Sequence, residues 1–136
     1  MTGVAENPAP EIFGEPIYEY TRKNAIEDGQ QIKLADDYAA LARDAGWKYP
    51  VYLTSGVWGL IETAVASKRH CNDFTGVLWD ILYMARFGRD VSPDTRAFKV
   101  IITGTRQRNH LLYAQVGPTD IDDPAPAMTI MLPEEK

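Results

Sequence analysis

Residues 74–87, Phe-Thr-Gly-Val-Leu-Trp-Asp-Ile-Leu-Tyr-Met-Ala-Arg-Phe, have the length of a helix and carry only two charges, Asp80 and Arg86. A helix this apolar is not expected on a surface. Leu78, Ile81, Leu82 and Ala85 recur at helical core spacing, and Trp79, Tyr83 and Arg86 follow i, i+4, i+7 on another side. Two apolar stripes predict a central helix buried on two sides. Asp80 then stands within an apolar element, where an unpaired carboxylate is costly or protonated, so a basic or backbone partner is expected. A cleft over mid-helix would make Asp80 a catalytic candidate instead.

The chain has 136 residues and one cysteine, Cys71. That length buries an ordinary core without metal or disulfide support. No basic region followed by an apolar run opens the sequence, and no apolar run approaches the roughly 20 residues that span a bilayer, so a soluble, cytoplasmic protein is expected. Residues 1–16, with Pro8, Pro10 and Pro16 and no periodicity, read as a flexible arm, and 17–136 as a single domain.

Along the domain, Thr21 is a candidate N-cap for a short helix through Asp28, with Gly29 at its left-handed end. Asp36 or Asp37 caps a second helix stopped by Gly46. Pro50-Val-Tyr-Leu53 reads as a short extra strand. Thr54 or Ser55 caps a third helix with apolar Val57, Trp58, Ile61, Ala64 and Val65, and the apolar helix follows and stops at Gly88. Ser92-Pro-Asp94 is a turn. Strands are expected at Phe98–Thr103, Leu111–Val116 and Met128–Leu132, joined by a polar loop and by an acidic loop over Gly117–Pro126. The predicted fold is α+β: about four helices, the central one packed on a C-terminal three-stranded antiparallel sheet.

Four segments, Tyr18-Glu-Tyr-Thr-Arg-Lys-Asn-Ala-Ile-Glu-Asp-Gly29, Pro50-Val-Tyr-Leu-Thr-Ser-Gly-Val-Trp58, Trp79-Asp-Ile-Leu-Tyr-Met-Ala-Arg86 and Thr129-Ile-Met-Leu-Pro-Glu134, resemble a family of short uncharacterised bacterial proteins carried mostly on plasmids and phages. The resemblance implies an accessory protein of a mobile element and brings no activity with it. The order from Tyr18 to Thr54 is also similar to the opening of ADP-ribosyltransferase-like domains, which bind NAD with a polar residue early in the chain and position a carboxylate late. That similarity implies Tyr20, Arg22 and Glu134 or Glu135 as candidates, with the usual histidine absent.

Tyr18, Tyr20 and Arg22 could stack on a base and pair with a phosphate, or pack as a tyrosine strand with Arg22 in an ion pair. Asp120, Asp122 and Asp123 are expected in an exposed loop open to a basic partner surface. Residues 67–110 carry eight bases and four acids, while 1–66 and 111–136 are net acidic, for an overall charge of −5. Lys68, Arg69, Arg89, Arg96, Lys99, Arg106 and Arg108 could therefore form a nucleic-acid surface. Aromatic residues do not alternate with them as a single-strand binder would want, and neutralisation of acidic neighbours within the fold is the simpler expectation.

His70, Cys71 and His110 lack the spacing of a metal site, so neither metal nor cofactor is implied. There is no phosphate-binding glycine loop, Gly-x-Ser-x-Gly or His-Glu-x-x-His. The favoured function is binding of a macromolecular partner, with antagonism of a host defence system as one form of it. A small NAD- or nucleotide-dependent transferase and a nucleic-acid binder are the alternatives.

Overall fold

The computed structural model describes residues 20–136. Tyr18 and the arm assigned to residues 1–16 lie outside the described residues.

Four helices, α1 (Arg22–Glu27), α2 (Asp36–Asp44), α3 (Ser55–Ala66) and α4 (Phe74–Met84), accompany six strands, β1 (Gln31–Lys33), β2 (Val51–Thr54), β3 (Arg89–Ser92), β4 (Thr95–Ile101), β5 (Asn109–Asp120) and β6 (Asp123–Met131). The strands form one sheet in the order β1-β2-β6-β5-β4-β3. Residues 89–131 make an antiparallel meander, and β6 then lies parallel to β2, which pairs antiparallel with β1. The expected three-stranded antiparallel sheet is therefore corrected to a six-stranded mixed sheet. The acidic segment expected as a loop over Gly117–Pro126 is also corrected: it continues the β5–β6 ribbon, with Asp120 opposite Asp123.

Local chemistry sets most helix ends. Thr21 and Asn24 form a reciprocal capping box, Asp28 closes α1, and Gly29 takes φ +77°. Thr54 caps α3 and Asp73 caps α4. The cap of α2 differs from expectation. Ala35 occupies it without a side-chain bond, and Asp36 begins the helix at φ +53°.

One face of the sheet buries Leu53, Leu112, Met128 and Ile130 against Val57 and Ile61 of α3 and Leu78, Ile81 and Leu82 of α4. Because strand side chains alternate, Tyr52, Gln115 and Thr129 project from the opposite face, where α1 lies. Helix α4 buries one face only. Trp79 is half-buried, and Tyr83, Arg86 and Asp80 are exposed. The expected second buried stripe is instead a surface ladder, Trp79 stacked on Tyr83 at 5.9 Å and Tyr83 on Phe87 at 5.2 Å. No helix among the described residues is long and apolar enough to cross a membrane.

Candidate functional site

Two separately identified candidates, the Tyr20–Arg22 segment and the acidic Asp120 segment, meet in one cleft of about 440 Å³ on the α1 face of the sheet. The half-buried Arg22 guanidinium lies 4.0 Å over the Tyr52 ring. Its Nε donates to the Thr119 carbonyl at 2.5 Å, and one Nη donates to Gln31 Oε1 at 3.0 Å and Thr129 Oγ1 at 2.8 Å. Burial lowers its pKa from the ordinary guanidinium value, while Tyr52 and Asp120 oppose that shift. Arg22 thus joins α1 to β1, β5 and β6. The ion pair expected for it gives way to neutral acceptors.

Asp120 is not the free acid expected of a loop. Its carboxylate accepts the backbone N–H groups of Arg22 at 3.2 Å, Lys23 at 3.0 Å and Ile121 at 2.8 Å. Those bonds, led by the Ile121 N–H, hold its pKa below the ordinary aspartate value. Asp123 accepts the Ala125 N–H, and Asp122 stands exposed at the ribbon tip. Tyr20 donates to Asp28 at 2.7 Å.

Glu135 has a capping role. It accepts Thr54 Oγ1 at 2.6 Å, the Leu132 N–H at 2.8 Å and the Gly56 N–H at 3.2 Å, tying the C-terminal turn to the start of α3. Glu134 is exposed. Apart from Arg22, the cleft therefore holds hydroxyl and carboxamide groups and one carboxylate already engaged by three amides.

A second feature lies at the other side of the sheet. The Ile102 N–H bonds the Arg108 carbonyl, so the ladder alternation turns the backbone groups of Lys99 and Ile101 away from β5. Strand β3 pairs only as far as Ala97. Beyond it no strand among the described residues pairs with this edge of β4, and two hollows sharing Met84 and Lys99 run beside it, of about 350 and 400 Å³. Phe87, Ile101, Leu111 and Tyr83 are 61%, 55%, 44% and 40% exposed. The first three line these hollows and Tyr83 stacks on Phe87, which together make an apolar rim.

Asp80 also lines this groove, one turn before Met84. The mostly buried, partnered Asp80 expected from the sequence is corrected: it is exposed and has no hydrogen-bond or ionic partner among the described residues. The cause is the one-sided burial of α4, which leaves position 80 off the core stripe. Desolvation against the groove wall still pushes its carboxyl above the ordinary value. Sequence reasoning missed Met84, Phe87, Ile101 and Leu111 as site residues. The uninterrupted apolar run Val100-Ile-Ile102 was the available signal, since a strand with one solvated face alternates.

A family model, described as a family of unknown function (DUF6573), matches residues 12–136, which includes every element from α1 to the C-terminal turn. The chain belongs to this DUF6573 family. No curated protein and no solved structure matches it.

In this DUF6573 chain the basic segment makes few ion pairs among the described residues. Of its eight bases only Arg96 is in an ion pair, with Asp90 at 3.2 Å, and that pair is the only one among the described residues. Among the described residues no group of three His, Cys, Asp or Glu gathers to hold a metal. His70 Nδ1 lies 2.8 Å from Ser67 Oγ, and His110 Nε2 lies 2.9 Å from Thr105 Oγ1. Cys71 is exposed at φ +52°.

Proposed function

We propose that this protein is a non-catalytic binding module, an accessory protein of a mobile element, that captures an extended segment of a partner protein along the open edge of β4. The observation that carries this reading is the outward-facing backbone of Lys99 and Ile101 beside hollows rimmed by Phe87, Ile101 and Leu111. An added strand gains main-chain hydrogen bonds from such an edge, and alternate side chains enter neighbouring hollows for selectivity. Arg89 and Lys99, both exposed at the groove and without an ion pair among the described residues, favour a segment with an acidic residue among apolar ones. The mobile-element role rests on the four sequence segments. In the transferase alternative, Glu135 is committed to its cap and Asp120 to backbone amides, so among the described residues no carboxylate remains poised beside Arg22.

Proline tests the edge without disturbing the ladder. Lys99→Pro removes an N–H that points away from β5, a position where an edge strand accepts proline. Displayed random peptides selected on the wild-type chain should be extended sequences mixing apolar and acidic residues, and should not bind the correctly folded Lys99→Pro variant. Selected peptides that bind the variant equally well would contradict edge docking, as would selection yielding no binder.

A further inference from the structure

Four bases with no ion pair among the described residues, Lys68, Arg69, Arg106 and Arg108, lie on two turns at one end of the sheet. Asn72, in the turn between α3 and α4, donates through Nδ2 to Ala64 O at 3.2 Å, Thr103 O at 2.9 Å and Thr103 Oγ1 at 3.2 Å. Gly104, at φ +83°, is pressed so close to the end of α3 that a Cβ there would lie 2.9 Å from Ser67 Cβ and 3.0 Å from the Ala64 carbonyl oxygen. The α3–α4 turn and the β4–β5 turn are thereby fastened together. Lys68 and Arg69 of one turn and Arg106 and Arg108 of the other are all exposed, so the joined turns make one basic platform. The acid on these turns is Asp73, whose Oδ1 is occupied by the Gly76 N–H at 2.9 Å.

We infer that this platform docks on the sugar-phosphate backbone of a nucleic-acid duplex. Charge and hydrogen-bond donors are all that phosphate contacts require, and both turns supply them, with Gln107 and Asn109 beside the arginines. A protein partner would need a buried apolar or aromatic anchor. Neither turn carries one: residues 67–73 and 103–109 hold no Phe, Tyr, Trp or large aliphatic side chain, and the one imidazole, His70, has its Nδ1 2.8 Å from Ser67 Oγ. The same lack of Phe, Tyr and Trp removes the stacking platform that single strands use.

The net charge of −5 does not oppose this docking. The acidic ribbon tip sits at the far end of β5, which spans Asn109–Asp120 and so separates the two by about 36 Å at strand rise. Screening over about 8 Å at physiological salt isolates the basic end from it.

The test is fluorescence anisotropy of the full chain with a labelled mixed-sequence DNA duplex at rising salt. Binding at low salt should weaken with a log–log slope of about −3, corresponding to three or four phosphate contacts. The Arg106→Glu, Arg108→Glu double variant should bind at least about tenfold more weakly, with the slope reduced by about two. Lys68→Ala with Arg69→Ala, on the other turn, should weaken binding in the same direction. Circular dichroism melts should match wild type, because all four side chains are exposed. Absence of binding at low salt would overturn the inference. So would unchanged affinity in the double variant, tighter binding of a single strand, or equal binding of an acidic polypeptide.

Discussion

The carboxylate of Asp120 accepts the backbone N–H of Arg22 across 98 residues of sequence, at 3.2 Å, so the β5–β6 ribbon caps the helix that packs beneath it. The same aspartate holds the Lys23 N–H, and the Arg22 side chain returns to the ribbon through Thr119. Helix and ribbon are mutually fastened at this point. A six-residue helix is too short to be stable alone, so α1 depends on this contact.

The depressed pKa of Asp120 gives the contact a pH dependence. A carboxylate whose folded pKa is lowered contributes stability above its unfolded pKa and loses it as pH falls through the folded value. The α1 amides should therefore be protected at neutral pH and exchange faster in acid, below the ordinary aspartate range. In Asp120→Asn that acid-induced change should be smaller and neutral-pH protection weaker. Identical exchange in the two proteins at neutral pH would remove Asp120 from this role.

Arg22→Ala should destabilise the fold by on the order of 2 kcal/mol, because it leaves Gln31 and buried Thr129 without their donor and uncovers Tyr52. Arg22→Lys should recover little, since an ammonium cannot reproduce the planar fork that bonds Thr119, Gln31 and Thr129 together. Urea unfolding reads both. An unchanged midpoint in the alanine variant would contradict the stitching role.

Asp80→Asn should leave stability unchanged or raise it. A carboxylate whose folded pKa is raised by desolvation disfavours the folded state once pH climbs through its unfolded pKa, and no partner offsets that cost here. Thermal melts at neutral pH and in mild acid should converge for the two proteins as the wild-type carboxyl protonates. A large loss of stability in the variant would mean that Asp80 has a partner after all.

The legible parts of the fold are those specified locally. Thr21, Gly29, Thr54 and the core stripe of α4 could be read because caps and helical spacing are short-range signals. The missed strands lacked such signals. Strand β1 is three residues long with one apolar side chain, and β3 is a polar edge, Arg-Asp-Val-Ser. The β5–β6 extension was obscured by Pro118, Pro124 and Pro126. Past Val116 on β5, and before Met128 on β6, no strand among the described residues pairs with the ribbon's outer edges, so an imino nitrogen facing outward costs no ladder bond.

The candidate sites were legible residue by residue but not as constellations. Tyr20, Arg22 and Asp120 could each be singled out, yet their meeting depends on a ribbon that sequence alone suggested was a loop. Asp80 was misjudged because a second apolar stripe on a helix can equally be an exposed aromatic ladder, and only the packing distinguishes the two.

The open edge of β4 is tested most directly by residue-resolved amide exchange. In the free protein the Lys99 and Ile101 amides should exchange rapidly while those of Val100 and Ile102, which face β5, stay protected. Adding a peptide selected on the wild-type chain should slow exchange at Lys99 and Ile101. Equal protection at all four positions in the free protein, or unchanged exchange at Lys99 and Ile101 with peptide bound, would contradict the account.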